Sequence, residues 1–253
     1  MSTKKIALVT GGSRGLGKNM AISLAKKGLN VVITYHSNQE AAENTINEIK
    51  ALGANGVAIQ LDTRKVSGFE NFKKILIKRL KDEWSTNKIH YLISNAGFGH
   101  NGSVADTSEE AFDDLLNVHL KGVYFLTQTL METINNGGGI INISSGLARF
   151  SFPGYSAYAA MKGAIEVYTR YLAKELGGRQ IKANTIAPGA INTDFNKDRF
   201  EQAPQTVDII AGMTALGRVG ESDDIGGVIA FLCSEDAKWI NGQRIEVSGG
   251  MLL

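Results

Sequence analysis

Short apolar runs rich in Val, Ile and Ala recur along the chain at 5–10, 30–35, 56–61, 89–94, 139–144, 181–187 and 243–247. Glycine or polar turn residues bound most of them, as expected of buried strands. Between them lie longer stretches with helical periodicity, near 15–28, 38–52, 67–83, 109–134, 155–177 and 222–233. Strands that are apolar throughout are covered on both faces. The alternation therefore predicts an α/β fold, a doubly wound sheet of about seven parallel strands with helices on both sides. Such folds hold ligands beyond the carboxyl ends of the strands, where the strand order reverses. Residues that follow strands consequently carry the most functional weight.

Composition does not divide this pattern. The 253 residues are 43% hydrophobic, and the three prolines (Pro153, Pro188, Pro204) mark no linker, so one domain over 1–253 is expected. With 27 basic and 25 acidic residues the net charge is +2 and no basic stripe is visible, which argues against nucleic acid or an anionic membrane as partner. No apolar run reaches the roughly 18 residues of a membrane span. The single Cys233 cannot form an internal disulfide, and Met1-Ser-Thr-Lys-Lys leads into no signal-type apolar segment. A soluble, cytoplasmic protein is expected. His36, His90, His100 and His119 lack metal-ligand spacing, so no metal is expected.

Two local patterns carry chemistry. After the first strand comes Gly11-Gly-Ser-Arg-Gly15-Leu-Gly17 and then a helical pattern. Strand, glycine turn and helix start form a phosphate cradle, because glycines admit close backbone approach and the helix N-terminus offers N–H groups and a positive dipole end. The second pattern is Tyr158 with Lys162 at i+4, a spacing that none of the other six of the seven tyrosines has. On a helix the two side chains share a face. An ammonium beside a phenol favours the phenolate and draws its pKa from about 10 toward neutrality, which would suit proton exchange with a substrate oxygen.

With these residues assembled, the chain resembles the short-chain dehydrogenase/reductase family over essentially its whole length. The matching pieces are Thr10 to Gly17, Asp62, Asn95-Ala96-Gly97, Asn117, Ser145, Tyr158 with Lys162, and Pro188-Gly189 with Thr193. The resemblance implies a Rossmann-type fold and a catalytic set of Asn117, Ser145, Tyr158 and Lys162. Ser145 would fix a substrate carbonyl oxygen, and Tyr158 would exchange its proton. Lys162 would tune Tyr158 and reach the nicotinamide ribose, while Asn117 would distort its helix and hold a water. The dinucleotide would rest on Gly11, Ser13, Arg14, Gly15, Leu16 and Gly17 after the first strand, and on Tyr35, His36 and Ser37 after the second. Asp62 and Thr63, then Asn95, Ala96 and Gly97, would line its adenosine side. Tyr158, Lys162, Pro188, Gly189, Ile191 and Thr193 would line its nicotinamide side. Residues 190–216 would form a substrate lid, with Phe195, Phe200, Ile209, Ile210 and Met213 as apolar lining, and substrate contacts would fall to Ser145, Tyr158 and Phe195.

The second strand ends in Tyr35-His36-Ser37-Asn38 without the acid that would bind a ribose 2′-hydroxyl, whereas Arg14 stands in the glycine turn. A guanidinium suits a 2′-phosphate, so NADP(H) is favoured, with NAD(H) as the alternative. The expected activity is hydride transfer between NADPH and a carbonyl or secondary alcohol. One alternative is a 3-oxoacyl carrier-protein reductase of fatty-acid synthesis, for which Arg179 sits at a basic position but Thr133–Gly137 supplies no cation. A remoter one is a non-catalytic dinucleotide-binding sensor. The resemblance also implies a homotetramer, built on the helices near 109–134 and 155–177 and on 222–247.

Overall fold

The computed structural model describes residues 4–193, 200–201 and 203–253. In chain order its main elements are β1 (Ile6–Val9), α1 (Gly15–Lys26), β2 (Asn30–Tyr35), α2 (Gln39–Ala51), β3 (Gly56–Gln60), α3 (Phe69–Trp84) and β4 (Ile89–Ser94). There follow α4 (Glu109–Leu116), α5 (Gly122–Leu130), β5 (Ile134–Ile143), α6 (Ser156–Glu175), β6 (Lys182–Pro188) and β7 (Ile191–Asn192). The chain closes with α7 (Gln205–Gly212), β8 (Gly220–Glu221), α8 (Ser222–Leu232) and β9 (Arg244–Val247). Seven strands form one sheet in the order β3-β2-β1-β4-β5-β6-β9, parallel throughout, and β7 pairs with β8 in a small second sheet.

The apolar runs make this sheet because its inner strands β1, β2, β4 and β6 bury both of their faces. In β1, Ala7 and Val9 join a core formed with Met20 and Leu24 of α1, Ile46 and Ile49 of α2, and Ile225 and Ile229 of α8. The alternate residues Ile6 and Leu8 point the other way, toward Phe72 and Leu76 of α3, Leu126 of α5 and Leu172 of α6. Each such aliphatic side chain contributes about 1.5–3 kcal/mol when fully buried. β1 lies between β2 and β4, so the winding direction reverses there and opens a crevice at the carboxyl ends.

The helix expected over 109–134 is interrupted. α4 runs into a π-helical turn at Asn117–Lys121, then α5, then a 3-10 turn at Met131–Thr133. Gly122 marks the tight point, since a Cβ there would collide with the carbonyl oxygen of Thr63. β5 also starts at Ile134, earlier than the expected 139, and its Asn-Asn-Gly-Gly-Gly stretch carries a register shift against β4. A Cβ on Gly138 would meet the His90 carbonyl oxygen, so the apolar pattern of this strand fades where glycine is needed for close approach. Among the described residues no helix is long and apolar enough to cross a membrane, and no group of His, Cys, Asp or Glu is placed to hold a metal ion.

Candidate active site

A cavity of about 770 Å³ opens at the crevice. Every position expected to hold the dinucleotide lies on its wall, from Gly11, Ser13, Arg14, Gly15, Leu16 and Gly17 through Tyr35, His36, Ser37, Asp62, Thr63, Asn95, Ala96 and Gly97 to Pro188, Gly189, Ile191 and Thr193. Ser145, Tyr158 and Lys162 line it too, whereas Asn117 lies off the wall, at the start of the π-helical turn. Phe195 lies outside the described residues. Of the expected apolar lining, Ile209, Ile210 and Met213 reach the cavity, and Phe200 packs behind it against the Ile210 cluster.

The glycine turn has the shape of an anion cradle. Gly11 and Gly15 take left-handed φ values of 66° and 53°, which glycine adopts without cost. A Cβ on Gly17 would strike the Gly11 carbonyl oxygen and come within 2.5 Å of Asn95 Nδ2. The N-cap residue Arg14 makes no side-chain cap at the N-terminus of α1, where Gly15, Leu16 and Gly17 line the cavity. The turn is held from below by β4: Asn95 Nδ2 donates to the Thr10 carbonyl at 2.9 Å, and the Asn95 and Ala96 amides donate to Thr10 Oγ1 at 2.9 and 3.0 Å. These residues fit a dinucleotide pyrophosphate.

At the adenosine end the chain of β2 delivers His36, Ser37 and Asn38 without an acid, and Arg14 lines the same cavity. Asp62, expected to line the adenosine side, is paired with Arg64 two residues on. Its Oδ1 accepts from Arg64 Nε at 3.0 Å and its Oδ2 from Arg64 Nη2 at 3.1 Å, while Arg64 Nη2 lies 3.2 Å from His36 Nε2. The Arg64 guanidinium holds the Asp62 carboxyl below its ordinary value, against a smaller opposing effect of burial. Arg64, unremarked in the sequence, thus adds a second cation to this end.

Ser145 follows β5 and opens a 3-10 turn, its hydroxyl accepting from the Leu147 amide at 3.2 Å. Pleating sends the adjacent Ser144 to the other side, where its Oγ donates to Glu166 Oε1 at 2.7 Å. Tyr158 and Lys162 rise from the first half of α6, 9% and 5% exposed. The Lys162 ammonium lies 5.4 Å from the centre of the Tyr158 ring and donates to the Ile143 carbonyl at 2.8 Å.

Here the expected tuning of the phenol is corrected. Burial raises the Tyr158 pKa above its ordinary value, and the hydrogen bond with Ser145 only partly opposes this. Burial also lowers Lys162, to about 7. Desolvation, the leading cause for each group, disfavours both charged forms in this site. The phenol is therefore a protonated donor at neutral pH, the form a reduction needs.

His119, which has no metal-ligand spacing in the sequence, belongs to this site. It is buried in the π-helical turn, and burial first, then Lys162, holds its pKa well below the ordinary value. Its Nε2 lies 2.8 Å from the Phe98 carbonyl oxygen, so a neutral ring donates there, and its ring meets that of Tyr158 edge-on at 5.2 Å. Gly97 makes room, since a Cβ would sit 2.6 Å from His119 Cε1. No sequence spacing signals this, because the contact joins β4 to the π-helical turn. Phe98, Leu147, Phe150, Phe152, Tyr155 and Met251 complete the apolar wall and were likewise not foreseen.

This geometry matches known proteins. Residues 11–252 match a family model described as enoyl-(acyl carrier protein) reductase. A short chain dehydrogenase of Claviceps purpurea is 35% identical over 257 residues, covering 97% of this chain and 95% of its own. Among solved structures, the promiscuous reductase LugOII, which catalyses keto-reduction at C1 during lugdunomycin biosynthesis, superposes with a TM-score of 0.93 at 34% identity over 99% of both chains. The angucycline C-6 ketoreductase LanV with bound NADP gives 0.93 at 33% identity, over 98% of this chain and 95% of its own. The chain belongs to the short-chain dehydrogenase/reductase family, and its Rossmann-type sheet is that of the family.

Proposed function

We propose that this protein is an NADP(H)-dependent ketoreductase, acting on a carbonyl carried by a largely apolar, ring-bearing small molecule. The observation that carries the reading is the hydrogen-bonded Ser145–Tyr158 pair with Lys162 beside it, facing the cavity that also holds the glycine turn of α1. Bound NADPH supplies the hydride. Ser145 donates to the substrate carbonyl oxygen and orients it. Tyr158, kept protonated by burial, passes its proton to that oxygen as negative charge develops there. Lys162, fixed on the Ile143 carbonyl, stands where it can reach the ribose and return a proton to Tyr158. Asn117 acts through the π-helical turn it opens.

Arg14, with Arg64 and His36 lining the same cavity, supports a 2′-phosphate and hence NADP(H) over NAD(H), and the NADP bound to LanV agrees. Phe98, Phe150, Phe152 and Tyr155 on the cavity wall suit flat rings, in keeping with the ketoreductase neighbours. A carrier-protein substrate is less well supported. Arg179 is turned inward, donating to Asn136 Oδ1 at 2.9 Å and to the Met131 and Ile134 carbonyls at 3.1 and 2.6 Å. The intact catalytic set likewise disfavours a non-catalytic sensor.

We further take the protein to be one cytoplasmic domain with its lid over 190–216, working as a homotetramer. Val167 and Tyr171 on α6 and Tyr124 on α5 are exposed although apolar or aromatic, while Ile165 and Leu172 of the same α6 are buried. The test of function is a panel of cyclic and aromatic ketones followed by NADPH absorbance. Turnover with NADPH supports the reading, and a panel-wide failure with cofactor shown to bind would refute it.

A further inference from the structure

The last residues of the chain fold back over the substrate end of the cavity. Met251 is 3% exposed, lines the cavity, and clusters with Ile210 and Val219 against Phe150 and Phe152. Residues 249–252 pair with the segment that follows α7: the Leu216 amide donates to the Gly249 carbonyl at 3.0 Å, and the Leu252 amide to the Met213 carbonyl at 3.0 Å. Two glycines and then Leu252 take left-handed φ values of 64°, 79° and 51°. Leu252 is a bulky residue in a conformation it rarely adopts, which persists only where its surroundings impose it.

Arg149 imposes it. This residue ends the 3-10 turn begun by Ser145, and its guanidinium uses its whole fork. Nε and Nη2 donate to the two carboxylate oxygens of Glu246 at 2.8 and 2.9 Å, Nη1 donates to the Leu252 carbonyl at 3.0 Å, and Nη2 also to the Met251 carbonyl at 2.8 Å. The group lies over the Phe150 ring at 5.4 Å. Glu246 is itself fixed by Arg244 Nη1 at 2.9 Å, and Arg244 Nε reaches Glu166 Oε1 at 2.6 Å, the same oxygen that accepts from Ser144. One chain of alternating charges thus runs from the residue beside the catalytic serine to the carbonyls of the tail.

We propose that Met251 is a specificity-determining residue of the substrate pocket and that Arg149 is the positioning residue that clamps it there. The proposal rests on the ketoreductase reading for its substrate but not for its clamp. Met251 closes the wall facing the Ser145 turn, so the room it leaves sets how large a ring system fits. A thioether side chain adapts its shape, which suits a site that accepts related ring systems. Arg149 ties that wall to the serine turn, so the pocket and the catalytic hydroxyl keep a fixed relation.

Three variants test this: Met251→Ala, Arg149→Ala and Arg149→Lys. Two ketones are compared, a monocyclic one and a fused bicyclic aromatic one, both as substrates with NADPH and as ligands titrated by calorimetry onto the NADP-loaded protein. Met251→Ala is expected to shift the ratio of kcat/KM, and of dissociation constants, by about tenfold toward the bicyclic ketone, with the KM for NADPH unchanged. Arg149→Ala should shift it in the same direction and speed hydrogen exchange of the Leu216 and Leu252 amides on the order of tenfold. Arg149→Lys, which keeps the charge but not the fork, should fall between. An unchanged ratio in Met251→Ala, or wild-type exchange at both amides in Arg149→Ala, would overturn the proposal. Absence of turnover in the wild type would defeat the ketoreductase reading instead, and the binding ratios and amide exchange would still decide this one.

Discussion

Lys162 should make the folded protein less stable below pH 7, and removing its charge should show by how much. Burial lowers its pKa from the ordinary 10.5 to about 7. At about 1.36 kcal/mol per pH unit, that gap corresponds to roughly 5 kcal/mol between protonation states. The unfolded chain binds the extra proton between the two values, so the stability linked to this group is complete above about pH 10.5 and is lost as pH falls to about 7. Lys162→Met keeps most of the volume and removes the titration. It also strips the Ile143 carbonyl of a donor at 2.8 Å, which costs about 1–3 kcal/mol. The variant is therefore expected to be more stable than wild type by about 2–4 kcal/mol at pH 6, and within about 1 kcal/mol of wild type on either side at pH 9, while losing activity. Urea unfolding of both proteins at the two pH values, at one protein concentration, measures the double difference. Titration of His90, whose pKa burial also lowers, and of Tyr158 above pH 10 is common to both proteins and drops out to first order. A stability difference equal at pH 6 and pH 9 would refute a depressed lysine.

Three further outcomes follow from the cofactor site and the surface. Arg14→Ala should weaken NADPH by roughly 1–3 kcal/mol and NADH hardly at all, read as dissociation constants by fluorescence; equal losses would remove Arg14 from the 2′-phosphate. Gly17→Ala, whose Cβ would strike the Gly11 carbonyl oxygen, should cost more than about tenfold in NADPH affinity, and a wild-type affinity would show that the turn is not the cradle. Light scattering should give four times the 27.2 kDa chain mass, and a monomer mass would dismiss the tetramer.

The parts of the fold legible in the sequence were those whose burial is uniform. β1, β2, β4 and β6 read as strands because both faces are covered, and Ala7 and Leu8 are equally apolar although they enter different cores. β5 was legible only from 139 onward, because its first half trades apolar side chains for glycines that admit the backbone of β4. The break at Asn117–Lys121 has no periodicity signal, since a π-helical turn merely shifts the face that follows. In the site, residues tied to a local motif were found at once: the glycine turn, Asn95-Ala96-Gly97, and the i, i+4 pair of Tyr158 and Lys162. What escaped were residues joined only by the fold. His119 meets Tyr158 across two helices, Arg64 turns back onto Asp62 and His36, and Met251 arrives from the far end of the chain. The balance of the Tyr158–Lys162 pair escaped as well, because spacing gives proximity but not the depth of burial that decides which way each pKa moves.

Tyr158 gives the proton to a carbonyl oxygen, while cofactor binding rests mainly on the glycine turn and the other residues of the cavity. This assignment is tested most directly by Tyr158→Phe, assayed for NADPH oxidation on a ketone the wild type reduces and, in parallel, for NADPH binding by fluorescence. The rate is expected to fall by about 100- to 10,000-fold with the NADPH dissociation constant largely intact. A variant that kept more than about a tenth of the wild-type rate would contradict it.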